Sequence, residues 1–204
     1  MKTIFKVLTY VVFPIAIIVL VYLNYESVME PVRFQNEVER REAVAIDRLV
    51  SIRTLQEAYK TQNRRFLSST DSLIDFYKNG QITIVRQIGS MDDSVAVAEG
   101  RVSRDSIDIF VRDTLLKGKG AVIDSISFIP YSGGKRISME SVIRKVSGIE
   151  IPLFEATISY DDLLNGLDRQ LIVNLKAEKE DMRQYPGLKV GDIENPNNNA
   201  GNWE

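Results

Sequence analysis

The chain has 204 residues, of which 44% are hydrophobic and 26% are charged, a composition typical of folded rather than disordered proteins. It contains no histidine and no cysteine, which excludes imidazole bases, thiol nucleophiles and the usual zinc and iron–sulfur ligand sets. The 26 basic and 28 acidic residues give a formal net charge of −2, so no general basic field is available to hold nucleic acid. We therefore expect no nucleic-acid partner, and most enzyme classes are disfavoured.

An uncharged apolar run occupies residues 7–23. Its length is at the short end of the roughly 17–25 residues that cross a bilayer as a helix. Two lysines precede the run and two glutamates follow it, which favours a cytoplasmic N-terminus and an exported body. A cleaved signal peptide is the alternative, but no small-x-small cleavage site follows closely. We predict a single-pass signal anchor in the lipid of the inner (cytoplasmic) membrane over residues 1–30, with the C-terminal domain in the periplasm.

A long stretch without glycine, from Pro31 to about Gln62, predicts one helix. At about 1.5 Å per residue this helix would extend about 48 Å. Half of residues 31–42 are charged, which indicates a solvated polar stalk. From Ala43 onward apolar residues recur at helical spacing, which predicts a wide apolar face packed on the rest of the chain.

Behind the long helix, the pattern predicts a loop over 63–69 and a short helix that is capped near Thr70 and ended by Gly80 in left-handed geometry. The rest of the chain is rich in β-branched residues. Five runs are predicted as strands: 81–88, 94–99, 122–130, 151–160 and 169–177. Helical spacing predicts a helix over 138–146, whereas residues 104–116 fit either a strand or a helix.

The predicted fold class is α+β: the transmembrane helix continues into a long amphipathic helix packed on an antiparallel β-sheet. Four segments follow from this organisation. They are an anchor with a cytoplasmic start at 1–30, a polar helical stalk at 31–42, an exported α+β domain at 43–190 and an Asn- and Gly-rich tail at 191–204. We expect the tail to be a loose surface segment that ends near Trp203.

Adjacent carboxylate pairs are the candidates for acid–base chemistry that a chain without histidine retains. They are Asp92–Asp93, Asp161–Asp162 and Glu180–Asp181. These pairs lie in predicted turns, so we interpret them as surface turn formers. The segment 132–135, Ser-Gly-Gly-Lys, lacks the spacing of a phosphate-binding P-loop, and we predict a hairpin turn there. Arg64 and Arg65, beside Phe66, are candidates for contact with anionic lipid or a partner, although a solvated helix face also accounts for them.

From the anchor to the short helix, the chain resembles the N-terminal module of type IV pilins and type II secretion pseudopilins. The shared pattern is an apolar membrane segment, a proline, and an amphipathic helix ending in acidic-x-leucine, alanine-x-x-tyrosine and asparagine-basic-aromatic motifs. The matching positions are Pro31, Asp47, Leu49, Gln56 or Ala58, Tyr59, Asn63, Arg65, Phe66 and Leu73. The resemblance implies a pilin-like α+β body whose sheet packs on the second half of the helix.

The residues of prepilin processing are missing from this chain. Prepilins carry a glycine before the processing site, an aromatic residue after it and a glutamate just inside the apolar segment, whereas Thr9, Tyr10 and Pro14 stand at the corresponding offsets here. A permanently anchored pilin-like protein is therefore implied rather than an ordinary filament subunit.

Major pseudopilins also hold calcium in a C-terminal loop. The oxygen-bearing residues of the tail are Asp192, Glu194, Asn197, Asn198 and Asn199. Their spacing is unlike that of an EF-hand loop, so we interpret them as a solvated turn.

We predict a non-enzymatic, membrane-anchored periplasmic structural or assembly subunit of a cell-envelope machine of the secretion or pilus type. It would act through contacts with other envelope or secretion-system proteins or with copies of itself. We assign no catalytic residue, cofactor, metal ligand or small-molecule substrate. Two alternatives stay open: a genuine filament-forming pseudopilin, and a carboxylate-dependent hydrolase of envelope glycans.

Overall fold

A single helix dominates the N-terminal third of the chain. The computed structural model describes residues 8–88, 103–118, 120–146 and 148–204. A π-helical turn, Leu8–Val12, leads directly into helix α1, Phe13–Asn63, which has 51 residues and is about 76 Å long at 1.5 Å per residue. The predicted membrane segment and the predicted long helix are therefore one continuous helix, and Pro31 lies inside it.

Within the ranges that the structure describes, shorter helices and five strands follow α1. They are α2 Thr70–Asn79, β1 Gln81–Ile88, β2 Ser103–Phe110, α3 Val111–Thr114, α4 Gly120–Ile123, β3 Ser138–Val146, β4 Ile149–Ser159, α5 Tyr160–Leu163, α6 Arg169–Asp181 and β5 Gly187–Gly191. Strands β1 and β2 form an antiparallel ribbon, and β3, β4 and β5 form an antiparallel sheet in that order. The α+β class with antiparallel sheets is confirmed.

The core lies between the second half of α1 and the three-stranded sheet. Fully buried apolar side chains on these elements include Ala45, Leu49, Ile52 and Leu55 of α1 and Phe154, Ala156 and Ile158 of β4. The α1 residues recur every three or four positions and the β4 residues every two, as one face of a helix and one face of a strand require. Each buried Leu, Ile or Phe contributes about 1.5–3 kcal/mol. The predicted apolar face beginning near Ala43 is confirmed.

Two segments have the opposite secondary structure to that predicted. Residues 138–146 form strand β3, not a helix, because they pair with β4 along their whole length and contain three β-branched residues. Residues 169–177 belong to helix α6, not to a strand. The Asp168 side chain caps that helix, and its Oδ1 accepts a hydrogen bond from Leu171 N at 2.9 Å.

The other strand predictions have mixed outcomes. The strands predicted at 81–88 and 151–160 are confirmed as β1 and β4. Residues 122–130 are not a strand, since they contain the end of α4, a series of turns and one isolated bridge. Residues 104–116 combine both alternatives, with β2 followed by α3. The strand predicted at 94–99 lies outside the described residues.

The short helix α2 is confirmed, but its ends differ in detail. Its N-cap is Ser69, whose Oγ accepts a hydrogen bond from Asp71 N at 3.2 Å. Gly80 ends it with φ −73° and ψ 154°, so the predicted left-handed ending was wrong. Glycine is required there for another reason, because a Cβ at this position would lie 2.4 Å from Phe76 O.

The C-terminal residues 191–204 pack on the domain, so the prediction of a loose tail was wrong. Asn202 N donates to Lys189 O at 2.9 Å, and the Asn202 side-chain Oδ1 accepts from Lys189 N at 2.9 Å. Asn202 Nδ2 also donates to Gly187 O at 2.9 Å. The side chain of Asn202 thus takes the place of strand backbone along the outer edge of β5.

Candidate functional site

The N-terminal part of α1 exposes a continuous apolar surface. An 18-residue window of this helix is long and apolar enough to cross a membrane, and none of it is buried against the described chain. Phe13, Leu20 and Leu23 are each more than half exposed. Contiguous apolar surface of this kind is unfavourable in water. The start of α1 is therefore a candidate membrane-spanning segment.

Helix α1 joins the domain before the end of the predicted stalk. Val38 is only 2% exposed. The Arg41 guanidinium donates hydrogen bonds to Leu163 O at 3.1 Å and to Asn165 O at 2.9 Å. The contacts with the domain therefore begin within the segment 31–42, about one turn earlier than the apolar pattern indicated.

A buried tyrosine fixes α5 to the same part of α1. The Tyr160 hydroxyl donates to Glu42 Oε1 at 2.6 Å, and Tyr160 is 2% exposed. Burial, and then the hydrogen bond to the Glu42 carboxylate, raises the pKa of Tyr160 well above its ordinary value. The tyrosine is therefore a neutral donor at physiological pH, and it orients Glu42.

An arginine pair ties α1 to the turn that contains Tyr131. Glu37 accepts hydrogen bonds from Arg40 at 2.6 Å and from Arg41 at 2.8 Å. The bonds from Arg40 and Arg41 lower the pKa of Glu37 to about 2. The Tyr131 ring centroid lies 5.1 Å from Arg40 Cζ and 4.8 Å from Arg41 Cζ. These cation–π contacts hold the turn against the helix.

The Ser-Gly-Gly-Lys segment at 132–135 forms the predicted hairpin turn. Ile129 N donates to Lys135 O at 2.8 Å, and Ser132 Oγ donates to Ile129 O at 2.8 Å. Lys135 Nζ contacts Asp162 of α5. The lysine and the serine therefore serve the turn and its attachment to α5.

The described carboxylate pairs have structural roles or lie on the surface. Asp161 contacts Lys176, and Asp162 contacts Lys135. Glu180–Asp181 is exposed at the end of α6 instead of lying in a turn. Asp92–Asp93 lies outside the described residues. Among the residues that the structure describes, no cluster of three or more acidic side chains could hold a metal ion.

Among the oxygen-bearing tail residues that we interpreted as a solvated turn, Asp192 has internal donors to both of its carboxylate oxygens. Asp192 Oδ1 accepts from Glu194 N at 2.7 Å and Asn195 N at 2.8 Å, and Oδ2 lies 3.0 Å from Lys189 Nζ. Burial raises the pKa of Asp192, but these donors outweigh it, and the net shift is downward. The carboxylate stabilises a turn.

Apart from Pro31, the pilin-like positions lie along the second half of α1, in the loop after it and, for Leu73, in α2. Leu49, Phe66 and Leu73 are buried in the core. Tyr59 packs edge-on against Phe76 at 5.1 Å between ring centroids. The remaining matched positions include three at the surface or the helix end: Asp47 and Arg65 are exposed, and Asn63 is the last residue of α1. The motif residues therefore mainly build the helix–domain joint.

One polar residue of this joint is central, and its role was not predicted. Gln56 is fully buried, and its Nε2 donates to Leu67 O at 2.7 Å while Leu67 N donates to its Oε1 at 2.9 Å. The Gln56 amide therefore bonds both backbone groups of Leu67, as the backbone of a neighbouring strand would. The sequence did contain a signal for this role, because Gln56 is a polar residue within the apolar face of the predicted helix.

A groove opens where α1 ends. Its volume is about 380 Å³, and it is lined by loop residues 65–68, β3 residues 141–143 and Pro152 of β4. We call this feature the distal groove, because it lies at the end of α1 opposite the apolar segment. It is the part of the described surface that combines exposed apolar side chains with the Arg64–Arg65 pair.

Comparisons of this chain with protein-family models, with curated proteins and with solved structures find no match. The resemblance to pilins and pseudopilins therefore rests on the sequence pattern, and function has to be argued from the geometry of the chain itself.

Proposed function

We propose that this chain is a non-enzymatic, single-pass, membrane-anchored structural or assembly subunit of a cell-envelope machine of the secretion or pilus type. In this proposal its N-terminus lies in the cytoplasm, α1 crosses the inner membrane, and the domain stands in the periplasm. The domain acts there through contacts with other envelope proteins.

The continuity of α1 carries this proposal. The helix runs without interruption from the exposed apolar segment into the core of the domain. Glu42 is bonded to Tyr160 and Gln56 to Leu67, so the domain is fixed at both ends of the buried half of the helix. A domain mounted in this way keeps a set height and rotation above the membrane. Such control matters for assembly with neighbours, whereas a tethered enzyme needs only a flexible linker.

The two alternatives make different demands. A filament-forming pseudopilin would be processed near Tyr10, and the mass of the intact membrane-extracted chain decides between that route and a permanent anchor.

A glycan hydrolase needs two carboxyl groups facing one cleft at about 5–10 Å. The distal groove has no carboxylate lining, and the groove between α1 and α2 has only Asp75. Neither groove therefore carries the pair of facing carboxyl groups that a hydrolase needs.

The test compares two replacements of the same six residues in the first part of the stalk, 31–36, where Phe34 is partly buried against the core and the other five residues are exposed; both variants lose the Phe34 contact equally. One variant carries Gly-Ser repeats and the other carries helix-forming Ala, Glu and Lys, so that chain length is constant and only helix continuity changes. Crosslinking in intact cells, followed by mass spectrometry, identifies the proteins next to the domain. We expect the helical variant to keep the crosslinked partners and the Gly-Ser variant to lose them.

Equal crosslinking by both variants would show that the domain is only tethered, and would overturn the proposal. A C-terminal alkaline phosphatase fusion tests the topology separately, because this enzyme folds only outside the reducing cytoplasm. An inactive fusion at normal abundance would contradict a periplasmic domain.

A further inference from the structure

The distal groove is a continuation of the core that α1 does not cover. Ile143 and Pro152 are register partners on β3 and β4. Alternation along β4 places Pro152 on the same sheet face as Phe154 and Ala156, which are fully buried in the core. Because α1 ends at Asn63, Ile143 stays 61% exposed. The floor of the groove is therefore apolar surface with no described residue packed over it.

The rim of the groove is positively charged. Arg65 lines the groove, and Arg64 precedes it in the left-handed conformation at φ 55°. Neither side chain forms an ion pair or a hydrogen bond within the described part of the chain. Lys60 stacks over the ring of Phe66, another lining residue, at 5.0 Å. No carboxylate lines the groove, although the whole chain is slightly acidic.

The position of the groove favours a protein partner over the lipid of the membrane that holds the anchor. The part of α1 from Pro31 to Asn63 measures about 50 Å, so the lipid that holds the anchor lies far from these arginines. At that separation the field of the membrane surface is screened by physiological salt. A volume of about 380 Å³ suits one or two apolar side chains. The geometry and the charge together fit a short peptide segment.

We propose that the distal groove binds an acidic segment of a partner protein, with an apolar side chain seated on Ile143 and Pro152 and carboxylates facing Arg64 and Arg65. Seating an apolar side chain removes the exposed part of Ile143 from water, and the arginines select negative charge beside it. The inference specifies the partner contact of the proposed assembly subunit and rests on that function in taking the partner to be a protein.

The experiment measures peptide binding to the full chain in nanodiscs of neutral phosphatidylcholine. The probes are labelled decapeptides with acidic, neutral or basic flanks around a central Leu-Phe or Ser-Ser, and binding is followed by fluorescence anisotropy. We expect the acidic Leu-Phe peptide to bind about tenfold more tightly than the neutral Leu-Phe and the acidic Ser-Ser peptides, with an affinity that falls as salt rises.

Matched variants localise the binding. Arg65→Glu should weaken the acidic Leu-Phe peptide about tenfold, whereas Arg169→Glu, which changes the net charge equally on exposed α6, should not. Ile143→Ser should weaken it as well, and Ile149→Ser, an exposed isoleucine that does not line the groove, is its control. Three results would overturn the inference. All peptides could bind equally, no peptide could bind, or both groove variants could leave the affinity for the acidic Leu-Phe peptide unchanged.

Two other occupants are outcomes of the same experiment. Arg65-dependent binding to phosphatidylglycerol vesicles without peptide binding would assign the groove to lipid. Arg65-dependent dimerisation of the full chain, measured by sedimentation, would assign it to a second copy. Either result would overturn the peptide proposal. Peptide binding does not depend on the stalk variants described above, so this inference and the proposed function can fail separately.

Discussion

The Gln56 side chain pairs with both backbone groups of Leu67, donating to its carbonyl at 2.7 Å and accepting from its N–H at 2.9 Å. Gln56 is fully buried and Leu67 is half-buried, so water has limited access to these bonds. These two hydrogen bonds attach the loop after α1 to the helix and fix the position of Leu67, which lines the distal groove.

Replacement of Gln56 should destabilise the domain strongly. Gln56→Leu leaves the N–H and the carbonyl of Leu67 without partners in a partly buried site, which costs about 1–3 kcal/mol in the free energy of unfolding. Gln56→Glu keeps the shape but loses the donor to Leu67 O. Denaturant titration of the full chain in micelles, followed by the fluorescence of its only tryptophan, Trp203, measures both variants. Gln35→Glu, on the exposed side of α1, is the control and should change little; a small effect of Gln56→Leu would contradict the role of this pair.

The hydrogen bond between Tyr160 and Glu42 should make stability depend on alkaline pH. Because the pKa of Tyr160 is raised in the folded state, the unfolded chain loses this proton first, at about pH 10. Folding stability from this group is therefore complete below about pH 10 and declines above it. Tyr160→Phe should cost about 1–2 kcal/mol at neutral pH. The difference between wild type and Tyr160→Phe should shrink above about pH 10; a constant difference would contradict the bond.

Asn202 should be essential for the packed tail. Asn202→Asp replaces the donor to Gly187 O by a second oxygen, so two acceptors face each other where 2.9 Å separated donor and acceptor. We expect a loss of about 1–2 kcal/mol and earlier exposure of Trp203 to a soluble quencher. Asn174→Asp is the matched control, because its Oδ1 only accepts from Gln170 and an aspartate can still accept. Equal effects of the two variants would show that the tail does not depend on Asn202.

Two glycines with similar backbone angles should respond differently to alanine. Gly191 has φ 74°, and a Cβ there would lie 2.2 Å from Phe154 O, whereas Gly148 has φ 86° and open space around it. Gly148→Ala therefore carries only the left-handed backbone cost of about 1–2 kcal/mol. Gly191→Ala adds displacement of β5 from β4, and we expect an additional loss of about 1–3 kcal/mol. Denaturant titration of both variants measures the difference; equal losses would exclude the close approach of β5 to Phe154.

Helix α1 could be predicted because the sequence signals for it are local. The apolar run, the absence of glycine from Pro31 to Gln62 and the spacing of Ala45, Leu49 and Ile52 are readable without knowledge of any partner. The predicted C-terminal end of this helix, near Gln62, lies within one residue of its end in the structure at Asn63.

The candidate site was less predictable. The Arg64–Arg65 pair is visible in the sequence, but the apolar floor beneath it comes from Ile143 and Pro152, which the register of β3 with β4 brings together. Because residues 138–146 were predicted as a helix, their pairing with β4 was not anticipated. Likewise, nothing in the residues around Leu67 indicates that a glutamine eleven positions earlier binds both of its backbone groups.

The sequence by itself determined an apolar N-terminal segment, a long helix and an α+β body, because the backbone bonds of a helix and its apolar stripe close within one segment. Only the tertiary structure decided which later segments are strands, where the domain meets α1, and that the tail is packed. Strands and tails take their hydrogen bonds from residues far away in the chain, as Asn202 does from Lys189 and β3 does from β4. Those partners exist only after the chain has folded.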